Sequence, residues 1–488
     1  MKLTELLLAL VREGLSQAAP VPDTAVVGVS ADSRAIAPGM VYVAVRGSQA
    51  DGHKFIPDAI ARGAAALVVE TAQGSTVPEI LVRDGRLAAI ALGRAWYKDP
   101  ARKLTLVGVT GTNGKTTTAM LTQHLLNGAG TAGFIGTLGA FDGSGAPVSS
   151  TAGSLTTPGA IDLQATFAAL VARGCTHVAM ETSSHSLDQG RLDGLVFAAG
   201  IFTNLTLDHL DYHGTMESYL AAKLRLSAYL ALDGVEVVNR DDPAWLAMPD
   251  RSTRLTFAQH AAADVRAVDV LMGSEGSSFV LETPQGRHPV RLPLLGDFNI
   301  SNALGAAGAA LALGIPLRDV AAALEHAPQV PGRMERISER PCVVLRDYAH
   351  TPDALERALS TLRPLTGGRL IVVFGCGGDR DRGKRPVMGR IAATLSDFPI
   401  VTSDNPRTED PGFIIDEVEL GMGSVPHLRF NDRLAAIDAA LAEARTGDTL
   451  LLAGKGHETY QVIGTTKVPF DERAIVQERV ARAGESGR

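Results

Sequence analysis

Cysteine is scarce: the 488 residues hold only Cys175, Cys342 and Cys376, an odd and widely spaced set with no CxxC pair. Such a set builds no disulfide framework, and a reducing, cytoplasmic setting is the expected one. An excess of positive charge is also missing. Forty-six Lys and Arg stand against 53 Asp and Glu, a formal charge of −7, which argues against a general nucleic-acid binder because that binding is driven by basic surface. Long apolar runs are absent too. The longest uncharged one, residues 303–317, is shorter than the ~18 residues a membrane span needs and is broken by Gly305, Gly308, Gly314 and Pro316. At the N-terminus Leu3, Leu6, Leu7, Leu10 and Val11 fall at helical spacing among Glu5, Arg12 and Glu13, which predicts an amphipathic surface helix and not a signal peptide. The glycine loop at 375 lacks the third glycine of a dinucleotide fingerprint, having Arg380 there, so a nicotinamide cofactor is disfavoured. The expected partners are small molecules, with no nucleic acid and no membrane insertion, and a monomer is the expected form.

What the chain does have is a phosphate loop. Residues 109–118 read Val-Thr-Gly-Thr-Asn-Gly-Lys-Thr-Thr-Thr, between a strand-like run at 104–109 and a helix-like run at 119–126. A glycine turn between strand and helix presents backbone N–H groups and the helix N-terminus to phosphate oxygens. Lys115 would reach the β- and γ-phosphates, and Thr116 would place its hydroxyl on Mg²⁺. The strict P-loop pattern asks for glycine at 109 and finds Val109. An ordinary surface turn is the alternative; the strand before and the helix after favour nucleotide.

The length exceeds what one hydrophobic core serves, and about three domains are expected at ~150 residues each. The fold class expected is α/β: an N-terminal domain over 1–98, a central P-loop ATPase domain with a parallel or mixed sheet over 99–331, and a C-terminal Rossmann-like domain over 332–488. Polar, proline-bearing Asp99-Pro100-Ala101-Arg102 reads as the first linker, and residues 328–332 as the second boundary. Beyond it, apolar runs at 342–345, 370–374, 399–402 and 449–453 are each followed by a polar loop, and helical patterns alternate with these runs. This predicts a parallel sheet covered on both faces, with ligands beyond the carboxyl ends of the strands.

Several residues in those loops carry chemistry or mere solvation. His209 and His213 read equally as members of a metal–nucleotide site or as helix-surface histidines, and a zinc site lacks evident third and fourth nitrogen or sulfur ligands. On composition Lys223 is a solvated helix lysine. Arg380, Arg382, Arg385 and Arg407 sit in glycine and proline loops, where a guanidinium suits a carboxylate or phosphate bidentately; solvated charge is the other reading.

The order of Thr110 to Thr117, Glu181 to His185, Asp208 to His213, Asn299-Ile300-Ser301-Asn302, Gly332-Arg333 and Asp347 to His350 resembles the Mur ligases, ATP-dependent enzymes that build the peptide of bacterial cell-wall precursors. Asp32-Ser33-Arg34, residues 48–52, residues 375–386 and Asp404-Asn405-Pro406-Arg407 look like the branch that adds meso-diaminopimelate to a UDP-muramyl-dipeptide. The resemblance covers nearly the whole chain.

It implies ATP as co-substrate with Mg²⁺ as cofactor, and a nucleotide site of Gly111, Thr112, Asn113, Gly114, Lys115, Thr116 and Thr117, completed by Asn302, Arg333 and Asp347 across the domain junction. Ser33, Ser48, Gln49 and Ala50 would hold the UDP end of the acceptor. Thr156, Thr157, Ser183, Gln189 and Arg191 would hold its muramyl-dipeptide, with one polar contact in doubt because Leu155 stands where relatives often have Asn. Arg380, Asp404, Asn405, Pro406, Arg407, Gly454 and Glu458 would hold diaminopimelate. Thr116 would serve one metal ion, and Glu181, His209 and a carbamylated Lys223 the second, with Lys115, Lys223 and His209 as the catalytic set.

The reaction so implied is attack of the D-glutamate side-chain carboxylate on the γ-phosphate, then displacement of phosphate by the amine. The same ligase using L-lysine is one alternative. A P-loop switch or transport ATPase is another, but no second-strand Walker-B run stands beside a partner-binding element. A folylpolyglutamate-type ligase would share the central domain without the UDP-type N-terminal unit.

Overall fold

The computed structural model describes residues 1–18, 20–47, 50–148 and 155–486, the side chains of the last four excepted. Ser48 and Gln49, both assigned to the UDP end, lie outside the described residues. The chain divides into two compact units. The first comprises Met1–Val268, Val280–Pro289 and Ser301–Leu324, and the second Asp269–Phe279, Val290–Ile300 and Glu325–Arg488.

The first unit opens with the expected amphipathic helix, Leu3–Arg12, which buries Leu3, Leu6, Leu7 and Leu10. Four parallel strands follow in sequential order: Gly28–Ser30, Met40–Val43, Ala66–Val69 and Glu79–Leu81. The first of these, three residues long, escapes a pattern search. Helix Gly85–Tyr97 covers the sheet. Asp84 caps it, its Oδ1 accepting from the N–H groups of Arg86 (2.8 Å) and Leu87 (3.0 Å), two donors the helix itself leaves unpaired. Gly93 lets this helix approach helix Ala160–Ala172 closely, since a Cβ there would stand 3.2 Å from the Ile161 Cα. Ile161 shares one apolar cluster with Val43, Val68 and Leu92. The expected linker is in fact a built-in corner: Pro100 and Ala101 are buried, and Asp99 pairs with Arg94 at 3.0 Å and Arg102 at 2.8 Å.

The central sheet has ten strands. From one edge they run Gly286–Leu292, Gly276–Thr283, Val265–Gly273, Arg254–Ala258, Leu230–Asn239, Phe197–Phe202, Thr105–Thr110, His177–Glu181, Ala132–Gly136 and Gly139–Phe141. The first three contribute residues to both units. Phosphate strand Thr105–Thr110 lies between two parallel neighbours, Phe197–Phe202 and His177–Glu181, so three carboxyl ends open at one place. Burial on both faces explains their apolar sequences, each fully buried Leu, Ile or Phe contributing roughly 1.5–3 kcal/mol.

The second unit holds a six-stranded sheet in the order Glu335–Ser338, Val343–Asp347, Thr449–Ala453, Leu370–Phe374, Phe398–Thr402, Leu428–Phe430. Five strands are parallel; Glu335–Ser338 is antiparallel, an edge addition to the wholly parallel sheet expected from sequence. One apolar cluster lies under helices Pro352–Leu362, Lys384–Leu395 and Pro411–Glu419, and another under Arg433–Glu443, covering the two faces. Among the described residues no helix is long and apolar enough to cross a membrane.

Candidate functional site

The phosphate loop is held by its neighbour strand's loop. Thr203 Oγ1 donates to the Asn113 carbonyl at 2.7 Å, Asn113 N donates to Asn204 Oδ1 at 2.8 Å, and Thr112 N to the Asn204 carbonyl at 2.7 Å. Thr206 N donates to Thr112 Oγ1 at 3.0 Å. Only glycine serves at 111: its φ is +147°, and a Cβ would stand 1.8 Å from Thr203 Oγ1. Helix Lys115–Leu126 starts at the end of the turn with Thr116 and Thr117 buried. Asn302, on helix Asp297–Ala312, accepts from Thr118 Oγ1 at 3.2 Å, which brings it against the loop within the first unit. Asn204 and Thr206, the chief supports, are not among the residues expected from sequence. The signal was there in Thr203-Asn204-Leu205-Thr206, a polar run ending an apolar strand.

Lys115 and Lys223 converge on one acceptor. Lys115 Nζ donates to the carbonyls of Gly111 (3.0 Å) and Thr112 (2.7 Å), and Lys223 Nζ donates to the same Gly111 carbonyl at 2.6 Å. The solvated helix lysine expected from composition is therefore a buried one, 1% exposed and over the Tyr219 ring at 4.2 Å. Loss of water, then the nearby Lys115 ammonium, hold its pKa well below the usual lysine range. Beside it stands a histidine cluster. The His185 ring lies 4.9 Å from His209 and 5.4 Å from His213, with Tyr212 at 4.2 Å. Burial, with His209 and His213 adding to it, pushes His185 down to about 4, so the ring is neutral near pH 7. His209 takes a left-handed backbone, φ 54°, and its side chain is 45% exposed. His209 is partly exposed with its ring against His185, and His213 Nε2 meets Ser184 Oγ at 3.0 Å.

The residues assigned to the acceptor's peptide meet across two loops. Thr157 Oγ1 donates to the Glu181 carbonyl at 2.8 Å and accepts from Ser183 N at 3.1 Å; Arg191 donates to the Thr157 carbonyl at 3.0 Å and to Gln189 Oε1 at 2.6 Å. Thr137 donates its N–H to Glu181 Oε1 at 2.8 Å and its hydroxyl to Thr156 Oγ1 at 3.2 Å. Leu155 is 49% exposed, so its side chain makes no core. In the four-stranded sheet's loops, Ser33 is buried at the start of a helical turn and Ala50 is exposed.

In the second unit Arg333 and Asp347 stand together. Arg333 stacks over the Tyr348 ring at 4.6 Å, and Asp347 Oδ2 accepts from Met334 N at 2.6 Å. Farther along the same sheet edge, the diaminopimelate candidates gather. Arg407 Nη1 donates to the Gly378 carbonyl at 2.8 Å, and a Cβ on Gly377 would lie 2.9 Å from that Nη1 and 3.8 Å from Arg380 Cγ, so the two arginines flank one glycine. Asn405 donates to Glu458 Oε2 at 2.9 Å. Gly454 has φ +114°, and a Cβ there would stand 2.7 Å from Asp404 Oδ2. Pro406 is buried between Asn405 and Arg407.

Arg382 and Arg385, open in the sequence reading to anion binding or solvation, are paired internally. Arg385 is fully buried against Glu409 at 2.8 Å and Glu417 at 2.5 Å, and holds Glu409 down to about 2. Arg382 donates to Glu417 at 3.0 Å.

A divalent metal here calls for oxygen donors. Among the described residues no three histidine, cysteine or carboxylate side chains form a metal-holding group. Thr116, expected at one ion, offers a buried hydroxyl; at the other, the buried Glu181 carboxylate supplies oxygen and the His209 imidazole nitrogen, and Lys223 would add oxygens only as a carbamate. Burial lowers the Lys223 pKa and so favours the uncharged amine, the form that adds carbon dioxide.

Comparison with known proteins identifies the family. Residues 25–92 match the model described as "Mur ligase family, catalytic domain", 109–310 "Mur ligase middle domain" and 332–456 "Mur ligase, glutamate ligase domain". The chain is 47% identical to the UDP-N-acetylmuramoyl-L-alanyl-D-glutamate–2,6-diaminopimelate ligase of Gloeobacter violaceus, covering 96% of each. It is 43% identical to the UDP-N-acetylmuramyl-tripeptide synthetase of a Roseiflexus species, over 95% of this chain and 96% of that one. A solved UDP-N-acetylmuramoyl-L-alanyl-D-glutamate–2,6-diaminopimelate ligase superposes with a TM-score of 0.68 at 33% identity, covering 99% of this chain and 100% of its own. A folylpolyglutamate synthase of Mycobacterium tuberculosis shares the fold at 19% identity and a TM-score of 0.60, but over only 75% of this chain. The chain belongs to the Mur ligase family.

Proposed function

We propose that the chain is an ATP-dependent amide ligase that adds meso-2,6-diaminopimelate to the D-glutamate side-chain carboxylate of UDP-N-acetylmuramoyl-L-alanyl-D-glutamate, in peptidoglycan precursor synthesis in the cytoplasm. The observation that carries this reading is the pair Arg380 and Arg407 flanking Gly377, beside the acidic Asp404, Asn405 and Glu458 group, in a chain nearly half identical to a ligase of that name. A diamino dicarboxylic acid offers both charges such a site accepts. Residues 1–98 would bind the UDP end, 99–331 ATP and the acceptor peptide, and 332–488 the amino acid.

Two anions must meet in the first step. A carboxylate oxygen attacks the γ-phosphorus, the bond to the β–γ bridging oxygen breaks, and ADP leaves an acyl phosphate. The amine nitrogen then attacks the acyl carbon, the carbon–oxygen bond to phosphate breaks, and the amine gives up a proton. Lys115 swings from the loop carbonyls to the phosphates and offsets repulsion in the first step. Thr157, Gln189 and Arg191 orient the acceptor, and the Thr112 to Thr117 backbone holds the phosphate chain. Thr116 would hold one Mg²⁺, and Glu181, His209 and a carbamylated Lys223 a second; the ions would supply charge neutralisation.

Two experiments test the reading. Phosphate release should require both the UDP-muramyl-dipeptide and an amino acid, with meso-diaminopimelate the preferred member of a panel that includes L-lysine. ATP turnover independent of the acceptor would instead favour a switch ATPase. For Lys223, protein equilibrated with ¹³C-bicarbonate should show a carbamate resonance that Lys223→Ala lacks, and that variant's lost activity should be partly restored by short carboxylic acids. An unchanged spectrum in the variant would remove the carbamate assignment.

A further inference from the structure

Two fully buried cations outside the roles assigned so far meet the carboxyl ends of strands Phe398–Thr402 and Thr449–Ala453. Arg433, at the start of its helix, donates to the Ala453 carbonyl at 2.9 Å and pairs with Glu472 at 2.7 Å, both side chains 0% exposed. It ties down the residue before Gly454. Lys455, one residue past Gly454, is also 0% exposed. Its Nζ lies 3.1 Å from Asn405 Oδ1, 3.2 Å from Glu458 Oε2 and 3.5 Å from Asp404 Oδ1.

An ammonium has three donors and no acceptor, and here three oxygens surround it. Lys455 therefore has nothing left for a substrate. The group it joins is otherwise braced: Asn405 Oδ1 also accepts from Val462 N at 2.9 Å, and Gln461 Nε2 donates to the Asp404 carbonyl at 2.7 Å. One cation stands against two carboxylates, Asp404 and Glu458, which leaves the cage with a single net negative charge. Two close carboxylates without that cation would repel each other in a water-poor site.

We propose that Lys455 is a positioning and specificity-determining residue. It locks Asp404, Asn405 and Glu458 into one cage whose residual negative charge accepts the distal ammonium of the incoming diamino acid. Arg407 reads the carboxylate at that end; the Lys455 cage reads the amine. This rests on the amino-acid assignment made above.

The discriminating substrate is L-2-aminopimelate, which keeps the distal carboxylate and lacks the distal amine. Wild-type enzyme should prefer meso-diaminopimelate to it strongly. Lys455→Met should raise the KM for meso-diaminopimelate about 30-fold or more, the order expected when one partner of a buried charge group is truncated. Its preference over 2-aminopimelate should collapse towards one, while KM for ATP and for the UDP-muramyl-dipeptide stays within about twofold. Lys455→Gln, which retains a donor, serves if the methionine variant does not fold, and should show the same collapse. A variant that keeps the wild-type preference between the two, or that loses all three substrates in parallel, overturns the proposal. Wild-type enzyme that uses L-lysine as well as meso-diaminopimelate would instead overturn the amino-acid assignment.

Discussion

Lys115→Ala is expected to lower turnover by about 10²–10³-fold or more, as loss of one well-placed group that stabilises developing charge does. The side chain is half-buried at the phosphate loop, with its ammonium on the Gly111 and Thr112 carbonyls and no place in an apolar cluster. The melting temperature should therefore move little. The loop keeps its other supports, the bonds from Thr203 Oγ1, Thr112 N and Asn113 N. A second consequence follows from geometry: Lys115 is one of the charges that depress the Lys223 pKa, so its removal makes Lys223 easier to protonate. The Lys115→Ala protein should accordingly carry less carbamate at neutral pH. Turnover within tenfold of wild type would dismiss the role given to Lys115.

Arg407→Ala should cost about 10³–10⁴-fold in kcat/KM with meso-diaminopimelate and leave the poor use of L-lysine nearly unchanged. Lysine lacks the distal carboxylate, and a site built to pair a buried polar group rejects the analogue lacking it by up to ~10⁴-fold or more, whereas size alone gives far less. The guanidinium is aimed by a backbone held on both sides: Arg407 N donates to the Val462 carbonyl at 3.0 Å, and its carbonyl accepts from Gly464 N at 2.7 Å. These bonds hold a left-handed φ of 51°, uncommon for arginine and worth about 1 kcal/mol of local strain. Alanine at the same φ carries similar strain, so the variant isolates the guanidinium. Arg407→Lys should recover only part of the loss, since an ammonium offers no bidentate fork. Equal loss with both amino acids would mean that Arg407 supports its loop and does not read the substrate.

Period and punctuation made much of the fold legible. Apolar runs such as Leu370–Phe374 and Thr449–Ala453 are strands buried on both faces, and the leucines of the first helix recur at its period. What escaped lacked such a signature. Strand Gly28–Ser30 is too short, and antiparallel Glu335–Ser338 joins its sheet by an edge pairing that no local pattern announces. Asp99 to Arg102 looked like a linker because composition reports polarity, whereas Pro100 and Ala101 are covered by neighbours distant in sequence.

The phosphate loop, the polar loops at strand ends and their order along the chain were determined by the sequence alone. Each is a local pattern: backbone φ, helix start and donor type depend on residues a few positions apart. Charged side chains are a different matter. Lys223 reads from composition as solvated and Arg385 as either solvated or anion-binding, nothing local marks Arg433 or Lys455, and the structure buries all four. Whether a cation is buried depends on oxygens delivered from elsewhere: the Gly111 carbonyl for Lys223, Glu409 and Glu417 for Arg385, Glu472 for Arg433, and Asp404, Asn405 and Glu458 for Lys455. Only the tertiary structure decided that, because desolvating a charge is unfavourable until those partners are brought within hydrogen-bonding distance.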